Sequence, residues 1–151
     1  MISVLFVCHG NICRSPMAEF ILKDIVNKIG KAEEFYIESC ATSTEEIGND
    51  VHRGTKEVLR RHNIPFSKRE ARQITKSDYE KFDYIIGMDD YNIKNLNIIS
   101  GGDKGGKISK LLDFTESPRD VADPWYTGDF DKTYTDIFNG CTAFVNKIFT
   151  E

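Results

Sequence analysis

Cys8 and Arg14 stand at the two ends of a short polar stretch, HGNIC, and Ser15 and Pro16 follow at once. An apolar run from Val4 to Val7 leads into Cys8, and from Ala18 onward the apolar residues fall at helical spacing, so the order is strand, tight loop, helix start. Backbone N–H groups of a loop closing onto a helix N-terminus converge on a concavity that favours an anion, and the helix dipole adds to it. Gly10 lets the backbone approach that anion closely, Arg14 offers a planar fork matching phosphate, and Ser15 is placed to cap the helix with Pro16 in its first turn. The same dipoles and guanidinium favour the thiolate of a cysteine, so Cys8 reads as a nucleophile facing a bound phosphate. A free cysteine at the end of a buried strand is also a common packing residue. The bare spacing C-x5-R-S arises by chance about once in a hundred chains of this length.

Elements able to position that loop follow from the apolar pattern. Ala18, Ile21, Leu22, Ile25, Val26 and Ile29 form one stripe ended by Gly30, which predicts a helix. A second strand is expected over Phe35–Ser39, then a polar turn over Thr42–Asn49. A second helix follows, with Val51, Thr55, Val58, Leu59 and His62 on one side, stopping before Pro65. His62 reads as a helix-end residue. Further strands are expected over Tyr84–Met88 and Ile108–Phe114, and a last helix over Lys132–Phe149 carries a wide apolar face. Strands alternating with helices imply a parallel sheet with right-handed crossovers, whose sites lie beyond the carboxyl ends of the strands, where Cys8 falls.

The chain of 151 residues suits one domain over 1–151. A net charge of -4 argues against a nucleic-acid partner, because phosphate backbones select basic surfaces. The opening apolar run lacks a basic flank and is too short for a signal peptide or membrane span, so no membrane partner is expected and the cytoplasm is the default location. Cys8, Cys13, Cys40 and Cys141 lack metal-ligand spacing, and Cys40 and Cys141 read as core thiols of a reducing compartment. GGDKGGK at 101–107 matches a nucleotide-binding phosphate loop up to its last position, where Ile108 replaces the Ser or Thr that would bind magnesium; it reads as a flexible turn. From Arg53 to Lys76 there are eight Lys/Arg against two Glu, and from Asp113 to Asp136 seven acids against two bases; both runs read as solvated faces.

VLFVCHGNICRSPMAEF resembles the signature of the low-molecular-weight protein tyrosine phosphatases. IESCATSTEEIGN, EARQIT, FDYIIGMDDYNIKNL and DPWYTGDF resemble further blocks of that family, in the family's order. The resemblance implies a three-layer α/β sandwich, with a four-stranded parallel sheet of order 2-1-3-4 and helices on both faces. It also implies hydrolysis of phosphotyrosine in protein substrates through a phosphocysteine, with inorganic phosphate as product, no cofactor, no metal and a monomeric protein. Cys8 is then the nucleophile and Arg14 the phosphate-binding residue. His9, Gly10, Asn11, Ile12 and Cys13 form the loop, and Ser15 stabilises the departing thiolate. Asn11 and Ser39 hold the loop in shape, and Cys8 and Cys13 form the family's reversible disulfide.

A leaving phenol with pKa near 10 needs a proton. Asp123 in DPWYTGDF matches the family's general acid: Pro124 holds it extended and aromatic residues follow, whereas Asp120 and Asp129 compete by sequence alone. Trp125 and Tyr126 match aromatics flanking the family's site, a wall for a phenyl ring. Three departures stand out. Glu45 occupies the opposite wall, where an aromatic is common, and would disfavour acidic phosphopeptides. GNDVHRG is one residue short, which blurs the roles of Asp50 and Arg53. Lys68, Arg69 and Glu70 stand where many members have a histidine. Arsenate reductases share the loop but need additional cysteines, and phosphoarginine phosphatases typically carry threonine where this chain has Ile12. A binding module without turnover would need neither Cys8 nor Asp123.

Overall fold

A computed structural model of the chain describes residues 1–150. Four strands, β1 (Ile2–Cys8), β2 (Phe35–Ala41), β3 (Tyr84–Gly87) and β4 (Ile108–Lys110), form one parallel sheet in the order β2-β1-β3-β4. β1 is paired on both sides, which is why Val4 to Cys8 is an unbroken apolar run rather than an alternating one. Its side chains still alternate between two cores. Val4, Phe6 and Cys8 enter the larger one with helices α1 (Arg14–Lys28) and α6 (Phe130–Thr150), and α2 (Arg53–Arg61) adds Val58 and Leu59. Leu5 and Val7 enter a smaller core with Phe82, Ile85 and Leu96, on the side of α3 (Lys76–Lys81) and α4 (Asp90–Ser100). The chain leaves β1 to one side for β2 and returns to the other for β3. Cys8 therefore lies at the point where strand order reverses, the usual crevice of an open parallel sheet.

The structure alters several expected boundaries. The fourth strand stops at Lys110, and Leu111–Phe114 forms a 3-10 turn. Leu111 and Leu112 are both buried, 0% and 3% exposed, and a strand would have turned one of them outward at the sheet edge. The stripe of α1 ends before Ile29, which is 49% exposed because Gly30 (φ 74°) turns the chain away. Phe138 and Phe149 of the last helix are also partly exposed. α3 and α4 add to the expected helices: α4 turns Ile93, Leu96 and Ile99 toward the smaller core and starts at the reciprocal cap of Asp89 and Asn92. His62 is a helix-end residue whose ring stacks on Tyr134 at 3.8 Å. Residues 101–107 form a turn knotted around Asp103, which accepts from Lys107 N–H, Ile108 N–H and the Tyr79 hydroxyl, and a strand follows it. The two charged runs are mostly exposed, as expected; Arg72 and Asp136 turn inward, where Arg72 meets Asp78 and Asp136 meets Arg119.

Candidate active site

β1 delivers Cys8 to the carboxyl edge of the sheet, residues 9–13 turn, and α1 begins at Arg14. The N-cap is Cys13, and no side chain caps it, so the first-turn N–H groups of α1 open toward the loop. Ser15 does not cap, contrary to the sequence expectation, because its hydroxyl is committed to Cys8 Sγ at 3.0 Å and to Asn11 Nδ2 at 2.7 Å. The loop's left-handed residue is Asn11 (φ 60°), not Gly10. What Gly10 supplies is closeness: a Cβ there would lie 3.3 Å from Glu46 Cγ.

Asn11 is fully buried, and every polar atom of it is engaged. Its backbone N–H points at Cys8 Sγ (3.2 Å), and Nδ2 also donates to the Ser39 hydroxyl (3.0 Å). Oδ1 accepts from Arg69 Nη2 (2.5 Å) and Arg72 N–H (3.3 Å), and the carbonyl accepts from Arg69 Nη1 (3.2 Å). Ser39 in turn donates to Glu19 Oε1 at 2.6 Å. A non-glycine residue in this conformation persists only where its surroundings over-determine it.

Arg14 is almost completely buried and held between two aspartates, each the N-cap of a helix. Asp89 caps α4 through one oxygen, accepting from Asn92 N–H at 2.8 Å, and reaches Arg14 Nη1 at 2.9 Å through the other. Asp123 caps the short helix α5 (Pro124–Thr127), accepting from Trp125 N–H at 3.0 Å, and reaches Arg14 Nη2 at 3.3 Å. Arg14 Nη1 also donates to the Val121 carbonyl at 2.9 Å. Burial opposes the guanidinium charge, but the charges of Cys8, Asp123 and Asp89 outweigh it and hold Arg14 above its usual value. Asp120 and Asp129 are committed elsewhere: Asp120 accepts from Asp90 N–H and Lys110, and Asp129 accepts from Lys132 N–H at the start of α6.

These groups enclose a cavity of ≈ 200 Å³ lined by Cys8, His9, Gly10, Ile12, Cys13, Arg14, Glu45, Glu46, Asp123, Trp125 and Tyr126. Trp125 and Tyr126 are 61% and 85% exposed and form the rim; the Trp125 indole stands edge-on to His52 at 6.1 Å. Glu45, in the same lining, pairs with His9 Nε2 at 3.0 Å. The Cys13 thiol is pushed up to about 12, first by burial and then by the charges of Cys8 and Asp123. Cys40 and Cys141 are fully buried, one in each core, with their thiols pushed up by burial. Asp50 and Arg53 separate in role: Asp50 binds Lys56 Nζ and Arg69 N–H, while Arg53 opens α2.

Sequence reasoning missed Asp89, Glu46, Glu19 and the partnership of Arg69 with Asn11. Asp89 follows directly on a buried strand, so the rule that sites gather beyond strand ends was a usable signal. Arg69 carried none, since 58 residues separate it from Asn11.

An open parallel sheet with a thiol, a buried arginine and an uncapped helix N-terminus at its switch point defines an oxyanion-binding α/β protein. The model of the family described as low molecular weight phosphotyrosine protein phosphatase matches residues 3–151. The chain is 45% identical over 150 residues to the low molecular weight protein-tyrosine-phosphatase YfkJ of Bacillus subtilis, covering 98% of this chain and 96% of that protein. The crystal structure of YfkJ superposes with a TM-score of 0.96, covering 99% of this chain and 96% of that one at 44% identity. The human low molecular weight phosphotyrosine protein phosphatase is 41% identical over 150 residues, covering 96% of this chain and 94% of its own length. The chain belongs to the low molecular weight phosphotyrosine protein phosphatase family.

Proposed function

We propose that this protein hydrolyses phosphotyrosine in protein substrates through a phosphocysteine on Cys8, in two steps with Asp123 as acid and then base. The observation that carries this reading is the convergence of Cys8 Sγ, the Arg14 guanidinium and the Asp123 carboxylate on one small cavity. A phosphate entering it competes with Asp123 for Arg14 Nη2, so substrate binding frees that carboxyl to carry a proton. The Cys8 thiolate attacks phosphorus in line, the bond to the aryl oxygen breaks, and Asp123 protonates the departing phenol. Arg14 and the loop N–H groups stabilise the equatorial oxygens. Water then attacks the phosphocysteine, giving a proton to Asp123. The sulfur leaves as thiolate, received by the Ser15 hydroxyl and the Asn11 N–H, and inorganic phosphate departs.

The substrate ring lies against Trp125 and Tyr126, facing the His9–Glu45 pair, and Glu45 disfavours acidic phosphopeptides. Cys13 is the partner for a reversible disulfide with Cys8; among the described residues all four cysteines are free thiols. Burial of Cys40 and Cys141 in separate cores leaves no further cysteine to resolve an arsenate intermediate. The same function suits a monomer in the cytoplasm; among the described residues no helix is long and apolar enough to cross a membrane.

The test is p-nitrophenyl phosphate hydrolysis with chelator present, together with acid-quench trapping of phosphoenzyme. Wild type should turn over and yield a phosphocysteine, while Cys8→Ser should do neither; a Cys8→Ser variant retaining most activity removes the covalent route. Peroxide should inactivate the enzyme reversibly with thiol, and Cys13→Ser should make that recovery incomplete.

A further inference from the structure

Arg69 is outside the cavity lining, yet its guanidinium is largely buried and turned toward the loop. Its backbone is tied down first: Arg69 N–H donates to Asp50 Oδ1 at 3.1 Å, and Asp50 is itself held by Lys56 at 2.5 Å. From there the side chain meets Asn11 twice, through Nη2 to Oδ1 at 2.5 Å and through Nη1 to the carbonyl at 3.2 Å. A guanidinium has donors only. Together with the Arg72 N–H, which reaches the same oxygen at 3.3 Å, it sets which way the Asn11 amide faces, and it is the closer donor at 2.5 Å; the flipped amide would set Nδ2 against a cation.

That orientation propagates by the valence of each group. With Oδ1 taken, Asn11 Nδ2 donates to Ser15 Oγ at 2.7 Å and Ser39 Oγ at 3.0 Å. Ser39 sends its own proton to Glu19 Oε1. Ser15, now an acceptor from Asn11, has one proton left, and its nearest acceptor is Cys8 Sγ at 3.0 Å, ahead of the Cys40 carbonyl at 3.4 Å. We propose that Arg69 is a positioning residue: it fixes the amide of Asn11 and thereby aims the Ser15 hydroxyl proton at the Cys8 sulfur. Arg69 touches neither substrate nor sulfur. Its effect falls on steps in which that sulfur carries negative charge, above all the breaking of the S–P bond, when the sulfur leaves with the electron pair. Lysine at this position would bring its donors from a single nitrogen, without the planar fork whose two nitrogens reach the two Asn11 oxygens.

The inference rests on the phosphocysteine reading, and its test separates the two. Rapid-quench and steady-state kinetics on p-nitrophenyl phosphate would compare wild type, Arg69→Lys, Arg69→Gln, Arg69→Met, Ser15→Ala and the double variant Arg69→Met/Ser15→Ala, with thermal unfolding of each. Arg69→Met should lower kcat about tenfold, with KM within about twofold, and raise the fraction of enzyme trapped as phosphocysteine. Arg69→Lys should recover part of that loss. In the Ser15→Ala background, Arg69→Met should change kcat less than about twofold, because the route through the hydroxyl is already cut. Additive losses in the double variant, or folded Arg69 variants with wild-type kcat, overturn the inference and leave the phosphatase reading intact. If Arg69→Met does not fold, Arg69→Gln and Arg69→Lys decide the same comparison. Wild type yielding no phosphocysteine while Cys8→Ser turns over overturns both.

Discussion

Asp123→Asn separates chemistry from folding at one atom. The carboxylate has two jobs in the structure: one oxygen caps α5 by accepting from Trp125 N–H at 3.0 Å, and the other reaches Arg14 at 3.3 Å. Asparagine is as good an N-cap as aspartate, so the first job survives. The second is an ion pair whose carboxylate is 27% exposed, and Arg14 keeps Asp89 and the Val121 carbonyl. Losing such a pair costs at most about 1 kcal/mol, a Tm change of roughly 2–4 °C for a domain of this size. Asparagine cannot give a proton to a phenolate, and general acid catalysis is worth about 10²–10⁴ in rate. The expected result is therefore a folded protein with kcat down by about that factor on phenyl phosphate. The loss should shrink as the leaving phenol becomes more acidic and needs the proton less. Steady-state kinetics on a series of substituted phenyl phosphates, paired with calorimetry, reads both effects. A loss of less than about threefold on phenyl phosphate, or an equal loss across the series, would falsify the assignment of Asp123 as the acid.

Four further outcomes are expected. Iodoacetamide at neutral pH should label Cys8 alone by mass spectrometry, because Cys13 stays a thiol up to about pH 12 and Cys40 and Cys141 are fully buried; early label on Cys13 contradicts this. Gly140→Ala should lower Tm despite improving helix propensity, since its Cβ would lie 2.5 Å from Cγ of the fully buried Leu111. Overpacking there costs about 1–3 kcal/mol against about 1 gained, and an unchanged or higher Tm refutes it. Asp50 is held down to about 2, chiefly by its hydrogen bond from Lys56, from an ordinary value of 3.8. Its contribution is present above pH ~3.8 and lost as pH falls through ~2. The gap in urea midpoint between wild type and Asp50→Asn should thus narrow from pH 7 to pH 2.5, and a constant gap would exclude the linkage. Trp125→Ala should cost about 1 kcal/mol of preference for phenyl over alkyl phosphates; an unchanged ratio of kcat/KM values removes the aromatic wall.

Much of this protein was legible in local sequence because its cause is local. The run Val4–Val7, the interval from Cys8 to Arg14 and the apolar stripes of α1 and α6 each act within a few turns of chain, and strand–helix alternation then leaves a parallel sheet as the simplest packing. Asp123 was legible chiefly through a resemblance of motif; by sequence alone it stood only modestly ahead of Asp120 and Asp129, and the fold turns one of these toward Lys110 and the other toward the start of α6.

Other features depended on contacts between distant residues. The boundary between β4 and the turn at Leu111 follows from where the second of two adjacent leucines could be buried. The Ser15 hydroxyl looks like a cap in sequence and becomes a partner of Cys8 only once Asn11 is locked from the far side. The two aspartates holding Arg14 lie 75 and 109 positions beyond it in the chain. Hydrogen-bond direction and the embrace of a buried charge are properties of groups that meet in space. Sequence alone determined that a thiol and a guanidinium would share a loop at a sheet edge, and the tertiary structure decided which groups orient them.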